Sequence, residues 1–124
     1  MQVPILKQRD YLIASVQSVL SDDDLLRLRD DLAAKVGRNR SKGVIIDVTV
    51  MDVIDSYATR TLRAIAYMLR LRGAETVIVG IQPEVAFGMV QLGLSLAEIG
   101  TALDHEEGLT YLDQQTRRDH GHAH

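Results

Sequence analysis

The stretch Gly43-Val-Ile-Ile-Asp-Val-Thr-Val-Met-Asp-Val-Ile-Asp-Ser-Tyr-Ala-Thr59 decides the fold of this chain. Residues 44–48 form a nearly continuous apolar run whose one charge is Asp47, a pattern typical of a strand buried on both faces. A short loop then ends at Asp55 and Ser56, where helical spacing begins. The stretch therefore predicts a strand, a loop and a helix start that displays the Ser56 hydroxyl at the positive end of the helix dipole.

Upstream of this stretch, the sequence predicts a hairpin and one helix. Two apolar runs, residues 3–6 and 11–16, flank a polar turn, which is a hairpin pattern. Ser21 then caps a helix whose first turn is acidic, and Gly37 is predicted to end it. The predicted buried stripe of this helix consists of Leu25, Leu28, Leu32 and Val36.

Downstream of this stretch, strands and helices continue to alternate. A helix over residues 56–72, a strand over 75–80 and a helix opened by Pro83 are followed by a short edge strand within 99–103. Asp104 caps a last helix that ends near residue 112. This order predicts an α/β sandwich with a mixed, mostly parallel sheet of four to five strands and about four helices. We expect residues 1–113 to form one domain and residues 114–124 a polar, disordered tail.

The composition argues against several classes of function. The 124 residues carry a net charge of -3 and include one phenylalanine and no tryptophan, which argues against nucleic acid as the partner. The absence of cysteine excludes disulfides and thiolate chemistry. The N-terminus lacks the apolar segment of a signal peptide, and no stretch is apolar enough to span a membrane. We expect the protein to be cytoplasmic.

Enzymatic and metal-binding alternatives have weak support in the sequence. A hydrolase would need His105 to reach Ser56, and no nucleophile-elbow motif surrounds that serine. Asp47, Asp52 and Asp55 suggest a Mg²⁺ site, but structural hydrogen bonding and helix capping explain them better. His120, His122 and His124 alternate in the tail and are weak candidate metal ligands, but a mobile tail explains them better. The basic loop over residues 38–42 and the remaining glycines lack the spacing of a P-loop or dinucleotide site, so no cofactor is predicted.

The segment from Val44 to Ser56 resembles the signature of STAS domains, the fold of bacterial anti-sigma-factor antagonists. Within that group, the chain is most similar to the RsbS-type antagonists of the stressosome. The segments over residues 4–7, 80–83 and 92–104 support this narrower resemblance. The resemblance covers residues 3–113, and its strength lies in the order and spacing of these motifs together.

The resemblance implies a non-enzymatic signalling role. Proteins of this type build a large cytoplasmic assembly with RsbR-type STAS co-antagonists, and the chain is expected to form homo-oligomers as well. They hold a switch serine/threonine kinase of the RsbT type and release it when the kinase phosphorylates one serine, which regulates the general stress response. The matching serine is Ser56, with Thr59 one turn on as a weaker second candidate.

The resemblance places the kinase-facing surface around this serine, at Asp52, Asp55, Tyr57 and Arg60. Tyr57 and Ala58 stand where many STAS antagonists have a small residue and a glycine. A simpler anti-sigma-factor antagonist, also regulated by phosphorylation, has the same fold and stays open as an alternative. The two roles differ in size, because only a scaffold forms large particles with a co-antagonist.

Overall fold

Within residues 2–122, the chain folds into five strands and four helices, in the order that the hydrophobic pattern predicts. The computed structural model describes the backbone of residues 2–122 and the side chains through Arg117. In chain order, the elements are β1 (Ile5–Gln8), β2 (Tyr11–Ser15), α1 (Asp22–Asn39), β3 (Gly43–Asp47), α2 (Ser56–Leu71), β4 (Glu75–Val79), α3 (Pro83–Gln91), β5 (Gly100–Ala102) and α4 (His105–His122). The prediction of a mixed, mostly parallel α/β sandwich is confirmed.

The five strands form one sheet in the order β1-β2-β3-β4-β5. The β1–β2 hairpin is antiparallel, and Arg9 in its turn has a φ of 55°. Strands β2 to β5 run parallel, with Ile45 opposite both Ile13 and Val77. Because parallel strands end at the same edge of a sheet, the loops that follow β2, β3, β4 and β5 lie along one edge. The loop before Ser56 belongs to that edge.

Alternation along the strands divides the core between two faces of the sheet. Val44 and Ile46 face one core, where they meet the apolar stripes of α1, α2 and α3. Ile45 and Val77 face the opposite core, where Leu112 of α4 covers them. The continuous apolar run of β3 therefore reflects burial on both sides, as its sequence predicts.

Helix α1 begins as predicted but ends later. Ser21 and Asp24 form a reciprocal capping box, in which the Ser21 hydroxyl accepts from the Asp24 N–H at 3.1 Å. Gly37 does not end the helix, which continues to Asn39 and is closed by Arg40 at a φ of 50°. A Cβ on Gly37 would lie 2.7 Å from Nη2 of Arg72, the end of an exposed and flexible side chain that lies beside α1. The basic loop that the sequence predicted over residues 38–42 is therefore shorter in the structure.

Helix α4 begins as predicted, since the Asp104 carboxylate accepts from the Glu107 N–H at 2.9 Å. It extends past residue 112 to His122, whereas the sequence predicted a disordered tail from residue 114. The hydroxyl of Tyr11 in β2 donates to Oδ1 of Asp113 at 2.5 Å and lies 3.4 Å from Oγ1 of Thr116. These contacts hold the helical turn after Leu112 against the sheet. Because Tyr11 is far from this turn in the sequence, the polar composition of the turn does not reveal the contacts. Residues 123–124 lie outside the described part of the chain.

Candidate functional site

The loop between β3 and α2 is fixed from inside by two apolar side chains. Met51 and Ile54 are buried in the core below the sheet edge. The N–H of Val48 also donates to the carbonyl of Val79 at 3.0 Å, which continues the pairing of β3 with β4. With these anchors in place, the loop presents Val50, Asp52 and Val53 to the solvent.

Asp55 caps helix α2, and Ser56 is its first helical residue. The Asp55 carboxylate accepts from the Ala58 N–H at 2.8 Å, in the manner of an N-cap aspartate. Ser56 is exposed, and its hydroxyl forms no hydrogen bond with any residue whose side chain or backbone is described. The hydroxyl is therefore not used as a helix cap, and it is accessible at the positive end of the helix dipole.

The other predicted site residues differ in how far they are buried. Asp52, Asp55 and Arg60 are exposed around Ser56, whereas Tyr57 is half-buried and packs partly against the core. Thr59 is 1% exposed, and its hydroxyl donates to the Asp55 carbonyl at 2.8 Å. The structure thus leaves the Ser56 hydroxyl accessible and encloses that of Thr59.

Two valines of this loop were not among the predicted site residues. Val53 is 69% exposed and Val50 also faces the solvent, although Met51 and Ile54 beside them are buried. The signal was present in the sequence as four apolar residues within five positions, 50–54, too many for a short loop to bury. Exposed apolar side chains beside an accessible hydroxyl are suited to contact a protein partner.

Asp47, at the end of β3, is the centre of a polar network. Its Oδ1 accepts from the N–H of Thr49 at 2.9 Å and from the Thr49 hydroxyl at 2.6 Å. Its Oδ2 lies 2.6 Å from Nε2 of His105 at the start of α4. Partial burial acts to raise the pKa of Asp47, but the bonds from Thr49 and the contact with His105 outweigh it and lower that pKa. The side-chain amide of Gln82 also donates to the Thr49 carbonyl.

This network does not assemble the hydrolase that the sequence left open. His105 is paired with Asp47, and no hydrogen bond joins it to Ser56. The arrangement therefore lacks the nucleophile–base contact on which serine hydrolysis depends. Its evident effect is to tie the start of α4 to the loop that follows β3.

Two of the three aspartates at this edge, Asp47 and Asp55, have structural roles. Asp47 receives the Thr49 hydrogen bonds, and Asp55 caps α2, so their carboxylates are turned to different partners. Among the described side chains, no three His, Cys, Asp or Glu residues form a group that could hold a metal ion. His120, His122 and His124, which the sequence raised as weak metal ligands, lie outside the described side chains. No helix in the described part of the chain is long and apolar enough to cross a membrane.

Comparison with known proteins identifies the family. The sequence profile of the STAS domain matches residues 3–108. The chain belongs to the STAS family. Its fold matches that of a Moorella thermoacetica RsbS carrying a serine-to-glutamate substitution, with a TM-score of 0.79 and 33% identity over 93% of this chain and 97% of the other. The resemblance drawn from the sequence is thereby confirmed.

Two further matches are a structure of the stressosome and a co-antagonist of RsbT. The stressosome structure, described as the molecular architecture of a signal integration and transduction hub, matches with a TM-score of 0.73 and 30% identity, over 92% of this chain and 99% of the other. The RsbT co-antagonist protein RsbRA of Bacillus subtilis (strain 168) is 30% identical over 92 residues, 74% of this chain. The matched region is only 34% of the length of RsbRA, so the activities of the whole relative are not assigned to this chain.

Proposed function

We propose that this STAS domain is a non-enzymatic antagonist and scaffold of a cytoplasmic stressosome-type assembly. It binds a switch serine/threonine kinase of the RsbT type and releases it when Ser56 is phosphorylated, which regulates a general stress response. The observation that carries the proposal is the Ser56 hydroxyl, which is exposed at the first position of α2 and has no hydrogen bond within the described structure. Such a hydroxyl is accessible to a kinase without unfolding of the helix.

The relatives support the same role. The RsbS relative has glutamate in place of a serine, a substitution that introduces negative charge where a hydroxyl stood. RsbRA is named as a co-antagonist of RsbT, and the stressosome structure is named as a signalling hub. We infer that this chain has partners of the same kinds: a kinase, an RsbR-like STAS co-antagonist and further copies of itself.

The charge balance at Ser56 favours a switch that acts on the partner and leaves the fold intact. Phosphorylation adds a charge of roughly -1.5 to -2 at neutral pH. The N-terminus of α2 stabilises such a charge by about 0.3–1 kcal/mol, and Arg60 lies one turn away on an exposed position. Asp52 and Asp55 oppose it by repulsion, so the net effect on stability is small. The added charge instead changes the surface that the kinase binds.

That surface consists of Val50, Asp52, Val53, Asp55 and Arg60 around Ser56, and Tyr57 contributes only its exposed part. The two valines supply apolar contact, and the polar residues fix the orientation of the partner. A phosphate beside the valines would have to be desolvated in the complex. We therefore expect phosphorylation to weaken kinase binding through this surface.

The proposal is tested with the purified chain, an RsbT-type kinase, ATP and Mg²⁺. Intact mass should show one added phosphate on the wild type and none on Ser56→Ala, whereas Thr59→Val should be phosphorylated like the wild type. Ser56→Asp should stay folded by circular dichroism and lose most of its kinase binding, and Ser56→Asn should retain it. Phosphate on Ser56→Ala, or full kinase binding by Ser56→Asp, would overturn the assignment.

A further inference from the structure

Strand β5 leaves one side of its backbone open. It is the last strand in the order of the sheet. The Gly80 N–H donates to the Ala102 carbonyl at 3.2 Å, so the hydrogen-bonding groups of Ala102 face β4. Because successive residues of a strand point these groups to opposite sides, those of Thr101 point away from the sheet. Thr101 is exposed, so its backbone is available to pair with an added strand.

Two clefts flank this open edge. One, of about 410 Å³, lies beside α4 and is lined by Glu106 and Tyr111. The other, of about 330 Å³, lies toward α3 and is lined by Ile81 and Leu103. Thr101 lines both clefts, which therefore adjoin along the strand. Since side chains alternate between the two faces of a sheet, a strand added at β5 would place its side chains alternately in the two clefts.

The cleft beside α4 has the features of a site for a cationic side chain. The Tyr111 ring packs on the backbone of Gly100, where a Cβ would lie 2.3 Å from Cε1 of the ring. Glu106 and Glu107 are exposed beside it, and no described lysine or arginine forms an ion pair with either carboxylate. Asp104 also lines this cleft, but its carboxylate accepts from the Glu107 N–H. An aromatic ring and carboxylates of this kind attract Lys and Arg.

The cleft toward α3 is mainly apolar. Leu103 is 78% exposed on its wall, and Ile81 is half-buried there. Glu107 is the one charged residue that lines it. A large side chain as exposed as Leu103 gains from contact with an apolar partner group. The two clefts therefore differ in the side chains that they favour, cationic beside α4 and apolar toward α3.

We propose that the outer edge of β5 binds an extended segment of a partner protein in which cationic and apolar residues alternate. The segment pairs with the Thr101 backbone as an additional strand. Its cationic side chains enter the cleft beside Tyr111, and its apolar side chains contact Leu103. The carboxylates repel an acidic segment, so charge restricts which strands can pair here. Ser56 lines neither cleft, so this site goes beyond the proposed function and does not depend on it.

The test uses a capped, fluorescein-labelled peptide of sequence Arg-Val-Arg-Val-Arg, titrated with the full chain and followed by fluorescence anisotropy. The peptide should bind saturably, and added salt should weaken binding because the charge pairs are screened. A peptide of sequence Arg-Arg-Arg-Val-Val has the same composition without the alternation, and it should bind about tenfold more weakly. The acidic peptide Glu-Val-Glu-Val-Glu should not bind.

Variants of the chain test the location of the site. Glu106→Gln/Glu107→Gln nearly preserves side-chain shape and should weaken binding about tenfold. The matched control Asp22→Asn/Asp23→Asn removes the same charge from the exposed first turn of α1 and should bind like the wild type. Leu103→Ser changes an exposed side chain and should also weaken binding. Circular dichroism confirms that each variant is folded.

Amide hydrogen exchange measured by NMR tests strand addition directly. The bound peptide should slow exchange of the Thr101 N–H about tenfold, because this group then donates to the peptide backbone. Ser56→Ala should bind the peptide like the wild type, which separates this site from the kinase site. Binding without protection of Thr101, or equal binding of the two arginine peptides, would overturn the proposal. So would unchanged binding by Glu106→Gln/Glu107→Gln, or a wild type that fails to bind Arg-Val-Arg-Val-Arg at its highest soluble concentration.

Discussion

The imidazole Nε2 of His105 lies 2.6 Å from Oδ2 of Asp47, although 58 positions separate the two residues in the sequence. This contact joins the first turn of α4, which covers one face of the sheet, to the end of the central strand β3. Asp47 also holds Thr49, the second residue of the loop that leads to Ser56. One carboxylate therefore connects the helix on the second face with the loop of the candidate site.

Replacing Asp47 by Asn should destabilise the protein in a pH-dependent manner. Since folding lowers the pKa of Asp47, the stability that it contributes is present above its unfolded-state pKa and is lost as pH falls through its folded-state pKa. We expect Asp47→Asn to lower the free energy of unfolding by about 1–2 kcal/mol at neutral pH, and the deficit to shrink in acid.

Urea denaturation of both proteins at pH 7 and pH 3 measures this difference. Asp30→Asn is the matched control, because Asp30 is an exposed carboxylate whose described partner is its neighbour Arg29. The control should change stability by less than about 0.5 kcal/mol at either pH. A deficit for Asp47→Asn that is equally large at pH 3 would show that the carboxylate charge is not its cause.

Helix α2 should depend on Asp55 and not on Ser56 for its cap. Asp55→Ala removes the acceptor for the Ala58 N–H and should cost about 0.5–2 kcal/mol. Ser56→Ala removes a hydroxyl that forms no hydrogen bond in the described structure, so it should change stability by less than about 0.5 kcal/mol. Thermal unfolding of the two variants compares them directly. An equal loss for both would mean that the serine shares the capping role.

Val50 and Val53 should contribute to kinase binding without contributing to stability. The double variant Val50→Ser/Val53→Ser removes two exposed apolar side chains beside Ser56, and it should weaken the kinase complex at least tenfold, or about 1.4 kcal/mol. Leu6→Ser on the edge strand β1 is the control, since Leu6 is 65% exposed, close to the 69% of Val53, and lies away from Ser56. Titration calorimetry with the unphosphorylated protein measures both. Unchanged affinity for the double variant would remove the valines from the proposed surface.

Alanine substitutions at two glycines should distinguish the loss of stability caused by backbone strain from the loss caused by steric crowding. Gly73 and Gly80 have φ values of 91° and 82°, so alanine at either should cost about 1–2 kcal/mol. A Cβ at Gly80 would also collide with the Thr49 side chain, whereas nothing lies within 4 Å of one at Gly73. Gly80→Ala should therefore be the more destabilising by at least about 1 kcal/mol in urea denaturation. Equal losses would show that the loop at Thr49 adjusts freely.

The sequence predicts the parts of this fold that depend on local patterns. The apolar runs of β3 and β4, the capping sequence at Ser21 and the proline that opens α3 each determine a boundary without help from distant residues. Asp55 and Ser56 mark the start of α2 equally well, because both residue types cap helices. Their spacing alone cannot show which of them uses its side chain for the cap.

The remaining features depend on contacts between residues that are far apart. Gly37 resembles a helix stop, but α1 continues through it to Asn39 and closes at Arg40, which adopts a φ of 50°. The polar turn after Leu112 stays helical because Tyr11 of β2 holds it. Val50 and Val53 are as apolar as core residues. Only the structure shows that the loop buries Met51 and Ile54 and leaves the two valines exposed. The assignment of Ser56 as the phosphorylated residue stays a prediction.

Among the described elements, α4 is the helix that covers the second face of the sheet, which has a practical consequence for where the chain can be shortened. The STAS profile ends at residue 108, within α4 and before Leu112, the buried side chain that the helix sets over Ile45 and Val77. A chain cut at that boundary would uncover apolar side chains of the parallel strands, the type of surface that promotes aggregation. The physical limit of this domain therefore lies beyond its family signature, at least as far as the turn that bears Asp113 and Thr116.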